Sequence, residues 1–425
     1  MKCKGSFFLS LVALAVLLGT YSAKLAAQEG GIYAETLTGN WSGKRSQLAT
    51  QGIEIGLDHT VDFMAVTEGG LDRRRSYSAL FEPSVSFDLE RLFGWRGGRV
   101  FIHGLGIYGS RDPGESVGSI HAPSNIADSV DTFKIHEAWF EQSFWDERLA
   151  VLVGLYAADS EFDVKETAGV FLNGGFGTGL DFSETGKNGP CIYPTSCLGV
   201  RVRWHPTSEH YVQVAVLDGV AGDPDQPHGT QVHLQGGDGA LILTELGIHQ
   251  NADVNSRFLH AALGAWYYTE HFDHVRALDA EGNPKQEQGA QGVYALIEGE
   301  LFREPEQATQ GLSGFLRVGY ADKQVNPIRW SASGGLVYTG LLPGRDEDVT
   351  GFGVSLASNS GSFKQAQRTA GSPVLSREVA YELTHWFPVT SWMSLQLSAQ
   401  YIRHPSMDPS VQSARVIGVR HKVTF

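Results

Sequence analysis

Arg201 and Arg203 stand two residues apart, interleaved with Val200, Val202 and Trp204. In an extended chain both guanidiniums project from one face and the apolar side chains from the other. The same parity turns Arg317, Arg420 and Lys422 to one side of their segments, and likewise Glu54, Asp58, Asp62, Glu82 and Asp88. The acidic groups lie on the first two alternating segments, the basic ones on the sixth, eleventh and last. Two such banks facing each other across a lumen would select solutes by their field. They can equally pair as salt bridges that brace a wall, and the sequence leaves both readings open. Connection 157–198 adds Phe162, Phe171, Phe176, Phe182 and Tyr193, with Asp159, Glu161 and Asp163 beside them. Ring faces flanked by polar groups suit a pyranose, which has a C–H face and a rim of hydroxyls.

Covalent chemistry finds little support. The glycines of Asn173-Gly174-Gly175-Phe176-Gly177-Thr178-Gly179 lack the strand-to-helix context of a nucleotide site. The 15 histidines form no two-histidine helix motif, and no nucleophile elbow is present. A Ser–His pair on an outer wall would need a serine beside His385 or His421, and none is evident. The expectation is a protein that is not an enzyme and carries no cofactor. Its net charge of −14 speaks against nucleic acid, whose phosphates need a basic surface. Cys191 and Cys197 read most simply as one disulfide closing a small loop in an oxidising compartment. A metal site is the alternative, and further ligands at matching spacing are missing.

Positioning inward charges against an outward apolar face requires an all-β architecture, a transmembrane antiparallel β-barrel. The last segment states it most directly. Ile417, Val419, His421, Val423 and Phe425 alternate with Gly418, Arg420, Lys422 and Thr424, and the chain ends on an aromatic of the oily face. Barrels in lipid place such rings at the membrane interface. At the other end, Lys2 and Lys4 precede an apolar run from Phe7 to Leu18 and small residues up to Ala26-Ala27. Residues 1–27 therefore read as a secretory signal peptide. An uncleaved anchor is the alternative, against which stands a run well short of the roughly 20 residues a membrane helix needs. Residues 28–52 read as a periplasmic segment in which Ser42 caps a short helix and Gly52 ends it in the left-handed conformation. That helix either plugs or braces the barrel floor, or is a plain lead-in.

Residues 53–425 read as the barrel, with about 16 strands. Connections are short after even strands and longer after odd ones, so both termini fall in the periplasm. Segments 257–268 and 291–301 read as strands flanking a loop. Connection 157–198 is the longest; stapled and rich in rings, it either folds inward to narrow the lumen or folds outward as a cover.

Several stretches carry a resemblance. They are Leu37-Thr38-Gly39-Asn40-Trp41-Ser42-Gly43-Lys44-Arg45, then His136-Glu137-Ala138-Trp139-Phe140-Glu141-Gln142-Ser143-Phe144, and Asp159-Ser160-Glu161-Phe162 after Gly154. Tyr193-Pro194-Thr195, Gly199-Val200-Arg201-Val202-Arg203-Trp204, Gly222-Asp223-Pro224, Tyr381-Glu382-Leu383 and His404-Pro405 follow in order. In their joint order they resemble the carbohydrate-selective porins of the OprB type over nearly the whole mature chain. The resemblance implies an outer-membrane channel for sugars, often a homotrimer, set in outer-membrane lipid, with Phe425 read by the barrel assembly machinery. The expected function is selective passive diffusion of carbohydrates, glucose-like monosaccharides foremost. Its expected pore-lining residues are Arg201, Arg203, Glu82, Asp159, Glu161, Phe162, Phe171 and Arg317. Alternatives are a general or anion-preferring porin, and a barrel serving as a surface adhesion or scaffold protein.

Overall fold

Period-two alternation along the chain becomes sixteen strands in the computed structural model, which describes residues 35–425 except 111, 224, 231, 233, 253–255, 306–308 and 373. The expected signal peptide, 1–27, and the first part of segment 28–52 lie outside the described residues. The strands are β1 Ile53–Glu68, β2 Arg75–Asp88, β3 Gly98–Gly109, β4 Thr132–Phe144, β5 Leu149–Tyr156, β6 Cys197–Trp204, β7 His210–Asp218 and β8 Ala240–Gln250. Then come β9 Leu259–Leu278, β10 Pro284–Arg303, β11 Gly311–Ala321, β12 Ile328–Thr339, β13 Val349–Asn359, β14 Arg377–Thr390, β15 Met393–Arg403 and β16 Ala414–Thr424. Each pairs with its sequence neighbours, and β1 closes the barrel on β16 from Asp58 opposite Thr424 to Glu68 opposite Arg415.

Burial along the strands runs opposite to that of a soluble sheet. On β7, Val212, Val214 and Val216 are exposed while Gln213 between them is buried. On β8, Glu245 is 3% exposed and the adjacent Leu246 56%. Apolar residues outside and polar ones inside are favourable only where the exterior is lipid and the backbone hydrogen bonds close within the barrel. Exposed rings gather at both rims: Phe63, Tyr77, Tyr108 and Tyr401 at one, Phe93, Phe144, Trp145 and Trp204 at the other.

The expected helix is present as α1, Lys44–Gln51, and Gly52 ends it at φ +94°. Its start differs from expectation. Gly43 occupies the N-cap without a side-chain bond, and Asn40 Oδ1 instead accepts from the Ser46 N–H at 2.9 Å. Ser42 sits at φ +57°, outside the extended region from which a capping hydroxyl reaches the first turn. Arg45 of α1 donates to Ile55 O at 2.8 Å, and Leu37 N donates to Thr424 O at 2.8 Å. The lead-in is thus tied to both strands of the closing seam.

β9 and β10 correct the sequence reading. The predicted loop between 268 and 291 is a continued hairpin, with His271 opposite Gln288 and Asp273 opposite Gln286. Beyond the wall both faces of the ribbon meet water, so the apolar alternation that marks a strand fades although backbone pairing persists.

Candidate functional site

Connection 157–196, between β5 and β6, folds into the barrel. Its two ends are held to β4, where Glu137 accepts Ala157 N at 3.1 Å and His136 O accepts from Ser196, and its middle is fastened along β6–β15. Arg201 of β6 bonds Glu161 at 2.6 and 2.7 Å, and Gln213 of β7 donates to Glu161 O at 2.8 Å. Glu245 of β8 accepts Asp163 N at 3.0 Å, and Phe182 lies 5.5 Å from the Trp266 ring of β9. Glu298 of β10 accepts Glu166 N at 3.0 Å and Thr167 N at 2.7 Å. Arg317 of β11 bonds Asp163 and Asp181, and Ser331 of β12 donates to Asp181 at 2.6 Å. Ser355 of β13 donates to Gly175 O at 2.8 Å. Glu382 of β14 accepts Leu172 N at 3.0 Å and Asn173 N at 2.9 Å. Gln400 of β15 accepts from Asn173 Nδ2 at 3.0 Å. Irregular backbone inside a barrel must have its polar groups satisfied, and the wall supplies the partners.

A second inward segment, 110–131 between β3 and β4, packs on the first: Asn125 N donates to Leu172 O at 2.7 Å and Gly174 N to Ala122 O at 2.8 Å. His121 Nδ1 lies 2.7 Å from Glu378 of β14, and Ser124 donates to Asp62 of β1 at 2.7 Å. Close approach needs space at the wall. A Cβ on Gly353 of β13 would stand 2.7 Å from Phe176 and 2.9 Å from Phe171, whose stacked rings lie 4.4 Å apart.

This packing decides where the residues singled out in the sequence stand. Arg201 and Arg317 do turn inward, but their side chains are 2% and 0% exposed, Arg201 held by Glu161 of the loop and Glu141 of β4, Arg317 by Asp163 and Asp181 of the loop. Phe162 and Phe171 are 3% and 1% exposed in apolar clusters, so neither presents a ring face to the lumen. Asp159 accepts the Tyr193 N–H at 3.1 Å, and Glu161 is held between Arg201 and Arg203. Cys191 and Cys197 are joined in a disulfide at the end of the same loop. Opposed charge banks do not form from the first and last strands. Barrel closure makes β1 and β16 neighbours, and Asp62 pairs with Arg420 at 2.6 Å, Asp58 with Lys422 at 3.0 Å.

Segment 110–131 packs Val117 on Met64 and Val66 of β1, and Ile126 on Leu80 of β2 and Leu105 and Ile107 of β3. With the rest of the lumen filled against β5–β15, a lane remains along the periplasmic halves of β16, β1, β2, β3 and β4. Side-chain exposures of 44% for Lys422, 33% for Asp58, 29% for Glu82 and 27% for Arg203 mark its reachable charges. Rings form a column on β3 and β4. Phe101 lies 5.2 Å from Trp139 and 6.1 Å from His103; His103 lies 5.6 Å from His136, and His136 6.2 Å from Tyr193 of the loop. Towards the periplasm the lane widens into a cavity of about 420 Å³ lined by Glu54, Ser86, Asp88, Arg99, Glu141 and Arg203.

Sequence reasoning missed Phe101, His103, Trp139 and His136. Arg99, Phe101 and His103 do share one parity and would have flagged an inward ring. Beyond them the consecutive pairs His103–Glu137 and Gly104–Ile135 skip His136, so a β-bulge puts an extra residue on β4 and parity counted along that strand fails there, while on β3 Leu105 and Ile107 keep it.

Loop charges respond to this packing. Burial alone would raise the Glu161 carboxyl, yet the Arg203 and Arg201 guanidiniums outweigh it and hold it below the usual range. Burial likewise works against the Asp163 carboxylate, and Arg317 with Lys165 overrides it. Asp159 has no cation beside it among the described residues: burial pushes it up to about 6, only partly offset by the Tyr193 N–H. Between its ordinary 3.8 and about 6 the folded protein therefore holds a proton that the unfolded chain has lost, so this group's contribution to stability falls as pH rises through that window. Asp159→Asn is expected to raise the unfolding temperature of the detergent-solubilised barrel at neutral pH and to leave it unchanged well below the window. Heat-modified gel mobility at the two pH values reads the difference; an equal shift at both would sink the assignment.

Known proteins share this architecture. The model of the carbohydrate-selective porin, OprB family, matches residues 72–425. Porin B of Pseudomonas aeruginosa is 24% identical, over 96% of this chain and 95% of its own length. The high-pH structure of Pseudomonas putida OprB superposes with a TM-score of 0.83 at 22% identity, covering 92% of this chain and 98% of that one. The low-pH structure of the same protein gives a TM-score of 0.60 at 18% identity over the same shares.

Proposed function

This chain belongs to the carbohydrate-selective porins of the OprB family and is a sugar channel of the Gram-negative outer membrane, and we propose that its preferred solutes are glucose-like monosaccharides that slide along the ring column from Tyr193 to Phe101. The observation that carries this reading is the two-sidedness of the lane. Half-buried ring faces of Phe101, His103 and Trp139 line β3 and β4, while Lys422, Asp58 and Glu82, all partly exposed, stand on β16, β1 and β2. A pyranose offers its C–H face to the rings and exchanges hydrogen bonds between its hydroxyl rim and the charged wall. Because those charges lie beside opposite charges, their field is local, and a neutral solute is not penalised. Several weak contacts in series favour conduction, since a solute must leave as readily as it enters.

Within this reading Arg203 and Glu82 touch solute, whereas Arg201, Arg317, Asp159, Glu161, Phe162 and Phe171 act by holding the loop. Transport is passive and has no catalytic step. A homotrimer in outer-membrane lipid is the proposed assembly, with Phe425 as the signal read by the assembly machinery. In support of the last point, Phe425 N donates to Leu57 O at 2.9 Å, and the residue carries the outward parity of Val423. Single-channel currents in planar bilayers test the solute: glucose is expected to block in a concentration-dependent, saturable way, and more strongly than a trisaccharide. Equal, non-saturating behaviour of all sugars would leave a general porin instead.

A further inference from the structure

We infer that Glu245, Glu298 and Glu382 are positioning residues whose carboxylates set the bore, and with it the size limit, of the channel. They stand on the lumen faces of β8, β10 and β14, at 3%, 2% and 1% exposure. Buried carboxylates in a barrel would ordinarily be met by a lysine or arginine on the next strand. Here the partners are main-chain N–H groups of the inward loop: Asp163 for Glu245, Glu166 and Thr167 for Glu298, Leu172 and Asn173 for Glu382.

In the last two, each of the two carboxylate oxygens receives one of two consecutive amides, so the peptide is gripped in orientation as well as in distance. A charge-assisted bond of this kind is about twice as strong as a neutral one. Each clamp is also held from behind. Tyr211 and Tyr294 donate to Glu245 at 3.0 and 2.6 Å, His260 Nδ1 lies 3.0 Å from Glu298, and Ser398 donates to Glu382 at 2.8 Å. A glutamate fixed at both ends is a spacer of set length between wall and loop.

The grips fall at residues 163, 166–167 and 172–173, the part of the loop that runs across the lumen from β8 to β14. What remains open is the barrel cross-section minus the loop and the segment 110–131 that packs on it, so the distance these spacers impose sets how far both stand from the lane along β16–β4. Because they bind amides, they act whatever side chains the loop carries. Glutamine in the same place keeps the length, but it turns an NH2 towards one of the two amides and can satisfy only the other.

The inference rests on the lane described above but does not require that sugars bind to its rings. Full-length Glu382→Gln, Glu298→Gln and the double Glu298→Ala/Glu382→Ala variant are reconstituted, and unit conductance and liposome swelling are measured with mono-, di- and trisaccharides. Folding is checked separately by heat-modifiable gel mobility. Larger conductance and admission of the trisaccharide are expected, graded from the single glutamine variants to the double. Unchanged conductance and size limit in folded variants overturn the inference, and if the alanine double does not fold, the isosteric glutamine variants decide alone. Should the parent show no saturable block by glucose while the variants still widen, the ring column fails and the spacers stand.

Discussion

Arg317→Ala is expected to give a folded barrel with raised conductance and weakened discrimination among sugars. Arg317 is fully buried and joins Asp163, at 2.9 Å, to Asp181 and Ser331. Its removal leaves two carboxylates in the interior with only the Lys165 ammonium, 3.0 Å from Asp163, to balance them. Removing one partner of a buried pair typically costs about 3–5 kcal/mol, more than one or two neutral loop hydrogen bonds can offset. Relief comes by releasing the stretch from Asp163 to Asp181 from β11, where water can reach the carboxylates. The strand ladders do not depend on that arginine, so the barrel itself persists. Arg317→Lys should recover little, because an ammonium cannot span two carboxylates as the planar fork does. Conductance and sugar block identical to the parent in folded Arg317→Ala would refute the idea that this residue holds the loop.

Phe101→Ala with Trp139→Ala is expected to weaken glucose block about tenfold, with a modest loss of stability because Trp139 also packs on the apolar cluster behind it. Losing roughly 50 Å² of apolar contact on one sugar face corresponds to about 1.3 kcal/mol, close to one decade in affinity. Both rings are partly exposed on the lumen face, so their truncation opens no sealed core cavity. Phe162→Ala and Phe171→Ala supply the contrast. Those rings are sealed in the loop's apolar clusters, and their loss should lower unfolding temperature and shift conductance without a selective change in sugar block. If the buried pair and the column pair reduced block alike, the column would have no special part in solute binding.

What was legible in the sequence follows from what is local. Alternation in Ile417–Phe425 is a property of consecutive residues, and with it came the barrel class, the strand number and the inward direction of Arg201, Arg317 and Arg420. The β9–β10 extension escaped because a ribbon with water on both faces needs no alternation. His136 and Glu137, adjacent yet both buried, escaped because a bulge breaks the parity count at that point. Glu245, Glu298 and Glu382 were visible as inward carboxylates at most, since their partners are backbone amides, which every residue except proline offers and no pattern distinguishes.

By itself the sequence determined which face of each strand meets lipid, because the cost of a charge in hydrocarbon acts on every residue separately. Only the tertiary structure decided which inward charges remain free. Closure set Asp62 beside Arg420, and a loop more than a hundred residues away in sequence from its anchors Arg317 and Glu382 enclosed those two, leaving Lys422, Asp58, Glu82 and Arg203 partly exposed. Pairing energies depend on which groups come within a few ångströms, and in a closed barrel that is fixed by ring closure and loop packing, not by order along the chain.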